Sequence, residues 1–118
     1  MKQKTVKKLD DNVIKALTKA CEEAKKTVHG FQWLTHYARY DRFPGSLAVI
    51  CIFDTAQSLN EAGEQELDVY MRKLIQSHLL KIGVVLKDSR KHVFFDNEED
   101  CLLEHAGDWE RRLKLYQP

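Results

Sequence analysis

The 118-residue chain predicts an α+β domain: two layers, with helices packed on a four-stranded, largely antiparallel sheet in the order α-β-β-α-β-β-α. Three observations lead there. Apolar residues recur at helical spacing in two long segments, about 11–28 and 64–82. Two pairs of short β-favouring runs are each joined by a turn-like stretch, as in hairpins. The length suits one hydrophobic core and is too short for two.

Residues 1–9, within "MKQKTVKKLDD", read as a flexible basic tail, and residues 10–118 as a single α+β domain. No apolar run follows the lysines, so no secretory signal is expected. Asp10 or Asp11 is a good N-cap for the helix that follows. Val13, Ile14, Leu17, Ala20, Cys21, Ala24 and Val28 form its apolar stripe, and Gly30 is its left-handed stop.

"FQWLTHYARY" and "LAVICIF" are the first strand pair, with Pro44–Gly45 at the centre of a type II turn. Residues 47–53 lack polar alternation, which predicts a central strand covered on both faces. Asp54 or Thr55 then caps a short helix through Ala62, interrupted at Gly63. Leu67, Tyr70, Met71, Leu74, Ile75, His78, Leu79 and Ile82 give the cleanest periodicity of the chain, ending at Gly83. "VVL" and "HVFF", flanking "KDSRK", predict a second hairpin. Cys101, Leu102, His105, Trp109 and Leu113 share a final helical stripe, which Gly107–Asp108 divides, with Asp108 capping the second piece. Leu17, Cys21, Val49, Cys51, Phe53, Leu74, Ile75, Leu79, Val93 and Phe95 are the expected core.

The net charge of +1 argues against a polyelectrolyte binder, but charge is unevenly spread: residues 1–45 balance to +5 and residues 46–118 to −4. The longest apolar run is far too short for a membrane span, so no membrane partner is expected. Cys21, Cys51 and Cys101 are an odd count without a C-x-x-C pair, which fits reduced, buried thiols in a cytoplasmic protein.

The stretch most suggestive of chemistry is "VFFDNEEDC". With Asp96 as N-cap, Glu99 falls at the third helical position, and Glu98, Glu99 and Asp100 favour the helix dipole, so capping accounts for every acid. The competing reading uses the echo between "CIFD" and "VFFD". If those strands run parallel side by side, Asp54 and Asp96 emerge at one sheet edge. Backed by Glu98 or Glu99, they suit magnesium, with Lys87 or Lys91 near a phosphate, as in a metal-dependent hydrolase or nuclease.

His29, His36, His78, His92 and His105 lack zinc-ligand spacing. His78 and His105 sit on apolar stripes, where a satisfied core histidine is the ordinary case. His36 is expected to face out beside Trp33, Thr35 and Tyr37. A basic and aromatic set, Trp33, Tyr37, Arg39, Tyr40 and Arg42, with Arg90, Lys91 and His92 on the second hairpin, suits partner binding or single-stranded nucleic acid, whose bases stack and phosphates pair. No ribonucleoprotein motif, K-homology loop or helix-turn-helix accompanies it.

"GFQWLTHYARYDRFPGSL", "LLKIGVVLKDSRKHVFFDNEEDC" and "GDWERRL" together resemble a group of short bacterial proteins, some loosely labelled Fis-type transcriptional regulators. The resemblance covers most of the chain after Asp10 and implies a bacterial cytoplasmic origin. The label implies a helical dimer with a C-terminal helix-turn-helix. This chain departs from that in its strand-rich segments and acidic, Trp-containing C-terminal region, so no activity or site is carried over.

The expectation is therefore a small cytoplasmic interaction or regulatory module without catalytic activity or cofactor. A protein partner or a second copy of the chain is favoured over nucleic acid, and the metal site at Asp54, Asp96, Glu98 and Glu99 stands as the enzymatic alternative.

Overall fold

The computed structural model describes residues 3–117. Helix α1 (Gln3–Thr27) leads into strand β1 (Phe31–Tyr37), β2 (Ala48–Phe53), α2 (Ala56–Glu64), α3 (Leu67–Lys81), β3 (Val93–Asn97), α4 (Glu98–His105) and α5 (Trp109–Leu113). The class is α+β, but the sheet has three strands in the order β1-β2-β3, and it is mixed. β1 pairs antiparallel with β2, and β2 pairs parallel with β3. The expected four-stranded, largely antiparallel sheet is thus corrected on both counts.

The second hairpin fails for a physical reason. Val84 and Leu86 are buried while Val85 is 60% exposed, so residues 84–86 alternate as a strand does. They nevertheless join no strand. The Leu86 carbonyl accepts from Gln76 Nε2 at 3.2 Å, and the side chains seal the main core beside α3. β3 instead pairs beside β2, reached across two helices, as a parallel neighbour must be.

β2 is central and wholly buried, as its unbroken apolar run predicts. Val49, Cys51 and Phe53 point to the face covered by α1 and α3, together with Val13, Leu17, Ile75 and Leu79. Ala48, Ile50 and Ile52 point to the other face, where Trp33, Phe94, Trp109, Leu113 and Tyr116 cover them. Helical structure therefore lies on both faces, giving three layers rather than two. Of the expected core, Cys21, Leu74 and Phe95 are only partly buried, and the other seven are fully so.

Helix α1 begins at Gln3, not at Asp10 or Asp11. Residues 3–9 of the expected tail are helical, and Leu9 packs on the core; residues 1 and 2 lie outside those described. Asp10 is instead taken up by two side chains of the opposite layer, His36 Nε2 at 3.3 Å and the Tyr40 hydroxyl. The expected turn at Pro44–Gly45 is displaced by one residue. Leu47 N–H donates to the Pro44 carbonyl at 3.0 Å, which centres the turn on Gly45–Ser46. Buried Ser46 sets this register, because its hydroxyl accepts from Arg39 N–H at 2.9 Å and donates to the Arg39 carbonyl at 2.7 Å.

Candidate functional site

The two strands that carry the Phe-Asp echo do run parallel and adjacent, but the register separates their acids. Asp96 lies opposite Ile52, two residues before Asp54. Each acid is then committed elsewhere. Asp96 is 3% exposed and grips Arg112, with Nε donating to Oδ2 at 2.7 Å and Nη2 to Oδ1 at 2.9 Å. The Tyr116 hydroxyl donates to Oδ2 at 2.7 Å, and Asn97 N–H to Oδ1 at 2.8 Å. Burial pushes the Asp96 carboxyl up, but the bonds from Arg112, Tyr116 and Asn97 outweigh it and hold it below the usual carboxylate range.

Asp54 accepts from the Ser58 hydroxyl and from Thr55 N–H at 2.7 Å, at the start of α2. The Ser58 bond is the main reason its carboxyl is held low. Thr55, one of the two caps expected there, makes a reciprocal capping box with Ser58. Glu99 Oε1 accepts from Ala56 N–H at 3.1 Å and so also serves the first turn of α2. Glu98 accepts two indole N–H groups, Trp33 Nε1 at 2.6 Å and Trp109 Nε1 at 2.8 Å. The rings of those tryptophans meet edge to face, 5.2 Å between centroids.

All four candidate metal ligands are thereby used to cap helices or join layers. Among the described residues, no group of three or more His, Cys, Asp or Glu is placed to hold a metal ion. The cap of α4 is Asn97, whose side chain accepts from Asp100 N–H at 2.8 Å; Asp96, one residue earlier, is free to turn inward. Asp108 caps α5 as expected.

The basic and aromatic set is dispersed by the alternation of β1. Trp33 pairs with Ile52 and Tyr37 with Ala48, so both lie on the α5 face. His36 pairs with Val49 on the opposite face, against α1, and does not face out beside them. Trp33 is packed on Trp109, Tyr37 is half-buried, and Tyr40 stacks on Phe43 at 5.1 Å. Arg39 pairs with Asp41 at 3.0 Å, and Arg90 with Asp88 at 3.1 and 3.2 Å. Arg42 and Lys91 are exposed. His78 is a satisfied core histidine, 2.9 Å from Glu23. Cys51 and Cys101 are fully buried, and burial raises both thiols, which opposes nucleophilic use.

Sequence reasoning missed two features. Arg112 gathers Asp96, the Asp100 carbonyl at 3.2 Å, Glu104 at 2.8 Å and His105 Nδ1 at 3.2 Å. Its only local signal is its place one helical turn after the Asp108 cap. The second feature is the open edge of β1, which has a strand neighbour on one side alone. Val49 N–H donates to the His92 carbonyl at 2.7 Å, across β3, and so is turned away from β1. Its partner His36 is then a non-hydrogen-bonded position of the antiparallel pair. His36, and Leu34 two residues before it, turn their backbone N–H and C=O to the free edge.

Beside that edge a groove of about 250 Å³ separates β1 from α1, walled by Ile14, Leu17, Thr18, Cys21 and Leu34. No helix among the described residues is long and apolar enough to cross a membrane. No protein-family model, curated protein or solved structure matches the chain.

Proposed function

We propose that this protein is an interaction module without catalytic activity, and that it self-associates through the free edge of β1. One observation carries the reading. "FQWLTHY" is a seven-residue edge strand with no charged residue and no proline. Edge strands normally bear such residues to prevent pairing with another chain. The only irregularity is a register shift between Phe31 and Trp33, which leaves the stretch from Trp33 to Tyr37 regular.

A second copy is the fitting occupant because a two-fold axis needs only one self-complementary surface. Antiparallel pairing of two β1 strands joins two three-stranded sheets into one of six and brings the two α1 helices together across the groove. Ile14, 45% exposed, then gains an apolar neighbour. The antiparallel helices set Asp11 in the first half of one against Lys25 and Lys26 near the end of the other, and their dipoles oppose. Charge and shape are thus compatible with the same symmetric contact. The carboxylates offered for the hydrolase alternative are engaged in the bonds that hold the layers, which favours binding over catalysis.

Light scattering over a range of concentrations tests this. A dimer is expected, and His36→Pro should shift it to monomer, because it removes an outward N–H without costing a β1–β2 ladder bond. Ile14→Glu, which leaves the strand intact, should do the same, with circular dichroism confirming that both variants fold. A wild-type chain that stays monomeric at every concentration overturns the reading.

A further inference from the structure

At one end of the sheet, where β1 stops and β2 and β3 start, the loops 38–46 and 84–92 meet. Their junction is stitched by His92. Its carbonyl accepts from Val49 N–H, and its Nδ1 lies 2.7 Å from the Leu47 carbonyl. A carbonyl only accepts, so Nδ1 carries the proton and Nε2 remains for another partner. Two cavities share Gly45 as a wall. One, of about 300 Å³, is lined by Arg39, Arg42 and Ser46; the other, of about 310 Å³, by Pro44, Val85, Lys87 and His92. A Cβ on Gly45 would meet nothing nearer than the Arg42 carbonyl at 3.5 Å, an ordinary contact distance.

The two loops carry five Lys or Arg and two Asp. Both acids are spent on near neighbours, Asp41 on Arg39 and Asp88 on Arg90. Arg42, Lys87 and Lys91 have no salt bridge among the described residues. The acidic residues of α4 and the Asp54 corner lie at the other end of the strands, which gives the sheet a basic end and an acidic end.

We infer that this basic end binds the phosphate backbone of a nucleic acid, independently of the self-association above. Arg42 lines one cavity, Lys87 lines the other, and Lys91 stands exposed beside His92 on the same loop, so the unpaired cations are spread out instead of converging on one point, which suits successive phosphates better than a single anion. An acidic protein surface is the weaker fit. Protein contacts centre on aromatic anchors, and the aromatics within these two loops, Tyr40 and Phe43, are stacked on each other, with Tyr40 held by Asp10. Since neither loop presents a free aromatic for stacking, recognition by the loops rests on charge and is blind to sequence.

The test is an anisotropy titration with a labelled random-sequence duplex, with polyglutamate and inorganic phosphate as competitors. Three neutralised phosphates give a log–log salt slope of about −2.7, so raising salt from about 50 to about 200 mM should weaken binding about 40-fold. Arg42→Ala, Lys87→Ala and Lys91→Ala combined should abolish binding while leaving the circular dichroism spectrum unchanged, since all three side chains are exposed. No duplex binding at low salt, a salt-insensitive affinity, or full binding by the triple variant would each overturn the inference. Preferential binding of polyglutamate would assign the site to an acidic protein, and competition by phosphate at equal charge concentration to a small anion; either also overturns it. Repeating the titration with His36→Pro separates the two readings, because a monomeric variant that still binds duplex leaves this site standing.

Discussion

Arg112 lays two nitrogens of its guanidinium against both oxygens of Asp96, at 2.7 and 2.9 Å, and both side chains are buried. The pair ties the segment after α4 to the end of an edge strand, sixteen residues away in sequence. Breaking such a pair from one side strands a buried charge. Arg112→Met is therefore expected to cost about 3–5 kcal/mol. Adding Asp96→Asn should cost less than the sum of the two single changes, because the orphaned carboxylate is then gone. Urea denaturation of the four proteins measures the coupling, and strictly additive losses would contradict it.

Acid should loosen the fold through three carboxyls. Asp96 sits low because Arg112, Tyr116 and Asn97 outweigh burial; Asp10 is held low chiefly by the Tyr40 hydroxyl, and Asp54 by that of Ser58. A carboxyl whose folded pKa lies below its unfolded value adds stability above the unfolded value, and that share is lost as pH falls through the folded one. Unfolding free energy should thus change little from these groups near neutrality and drop below about pH 4. Asp96→Asn should unfold at lower urea at neutral pH but lose less on acidification, which chemical denaturation across that range will show.

Alkali acts through the tyrosines. Burial, and then the bonds to Asp10 and Asp96, raise the Tyr40 and Tyr116 hydroxyls above their ordinary value. For a raised group the stabilisation is complete below the unfolded pKa, about 10, and fades as pH rises towards the folded one. Spectrophotometric titration should therefore find Tyr40 and Tyr116 ionising above the unfolded value, and only while the chain is folded. Tyr116→Phe should remove one of the late pair.

Glu98 is the sole acceptor seen for two indole N–H groups. Glutamine offers one carbonyl oxygen in place of two carboxylate oxygens, so in Glu98→Gln one tryptophan faces an amide N–H instead. The expected cost is roughly 1–3 kcal/mol. Tryptophan emission should report the loosened Trp33–Trp109 contact directly, and an unchanged spectrum would count against the bridge.

Two glycines should answer oppositely to alanine. Gly30 has φ +85°, and a Cβ there would lie 2.6 Å from Ser58 Cβ and 3.0 Å from Asp54 Oδ1. Gly30→Ala should cost more than about 1 kcal/mol, through strain and through disturbance of the α2 cap. Gly63 lies within α2, and a Cβ added there would meet nothing within 4 Å. Gly63→Ala should gain about 0.5–1 kcal/mol. Thermal melts of both variants against wild type decide the signs.

What was legible in the sequence is what local chemistry dictates. The stripe from Leu67 to Leu79, the unbroken apolar run of β2 and the caps at Thr55 and Asp108 each rest on neighbours a few residues away. What was not legible depends on partners far along the chain. Residues 84–86 alternate like a strand, yet they seal the core beside α3 instead of pairing with β3, and the parallel pairing of β3 with β2 leaves no turn to announce it. Asp96 reads as a cap in the sequence because nothing nearby reveals Arg112. The aromatic set reads as a surface because alternation within β1 does not say which face the residues after Asp108 cover.

That cover has a consequence during synthesis. Residues 109–116 shield Ile50 and Ile52, yet they leave the ribosome more than fifty residues after β2. Until then the nascent sheet presents an apolar face covered only by Trp33 and Phe94, together with its open β1 edge, the combination that exposes unfinished domains to aggregation. The Asp96–Arg112 clasp can form only once α5 has been made, so this face is among the last parts of the domain to close.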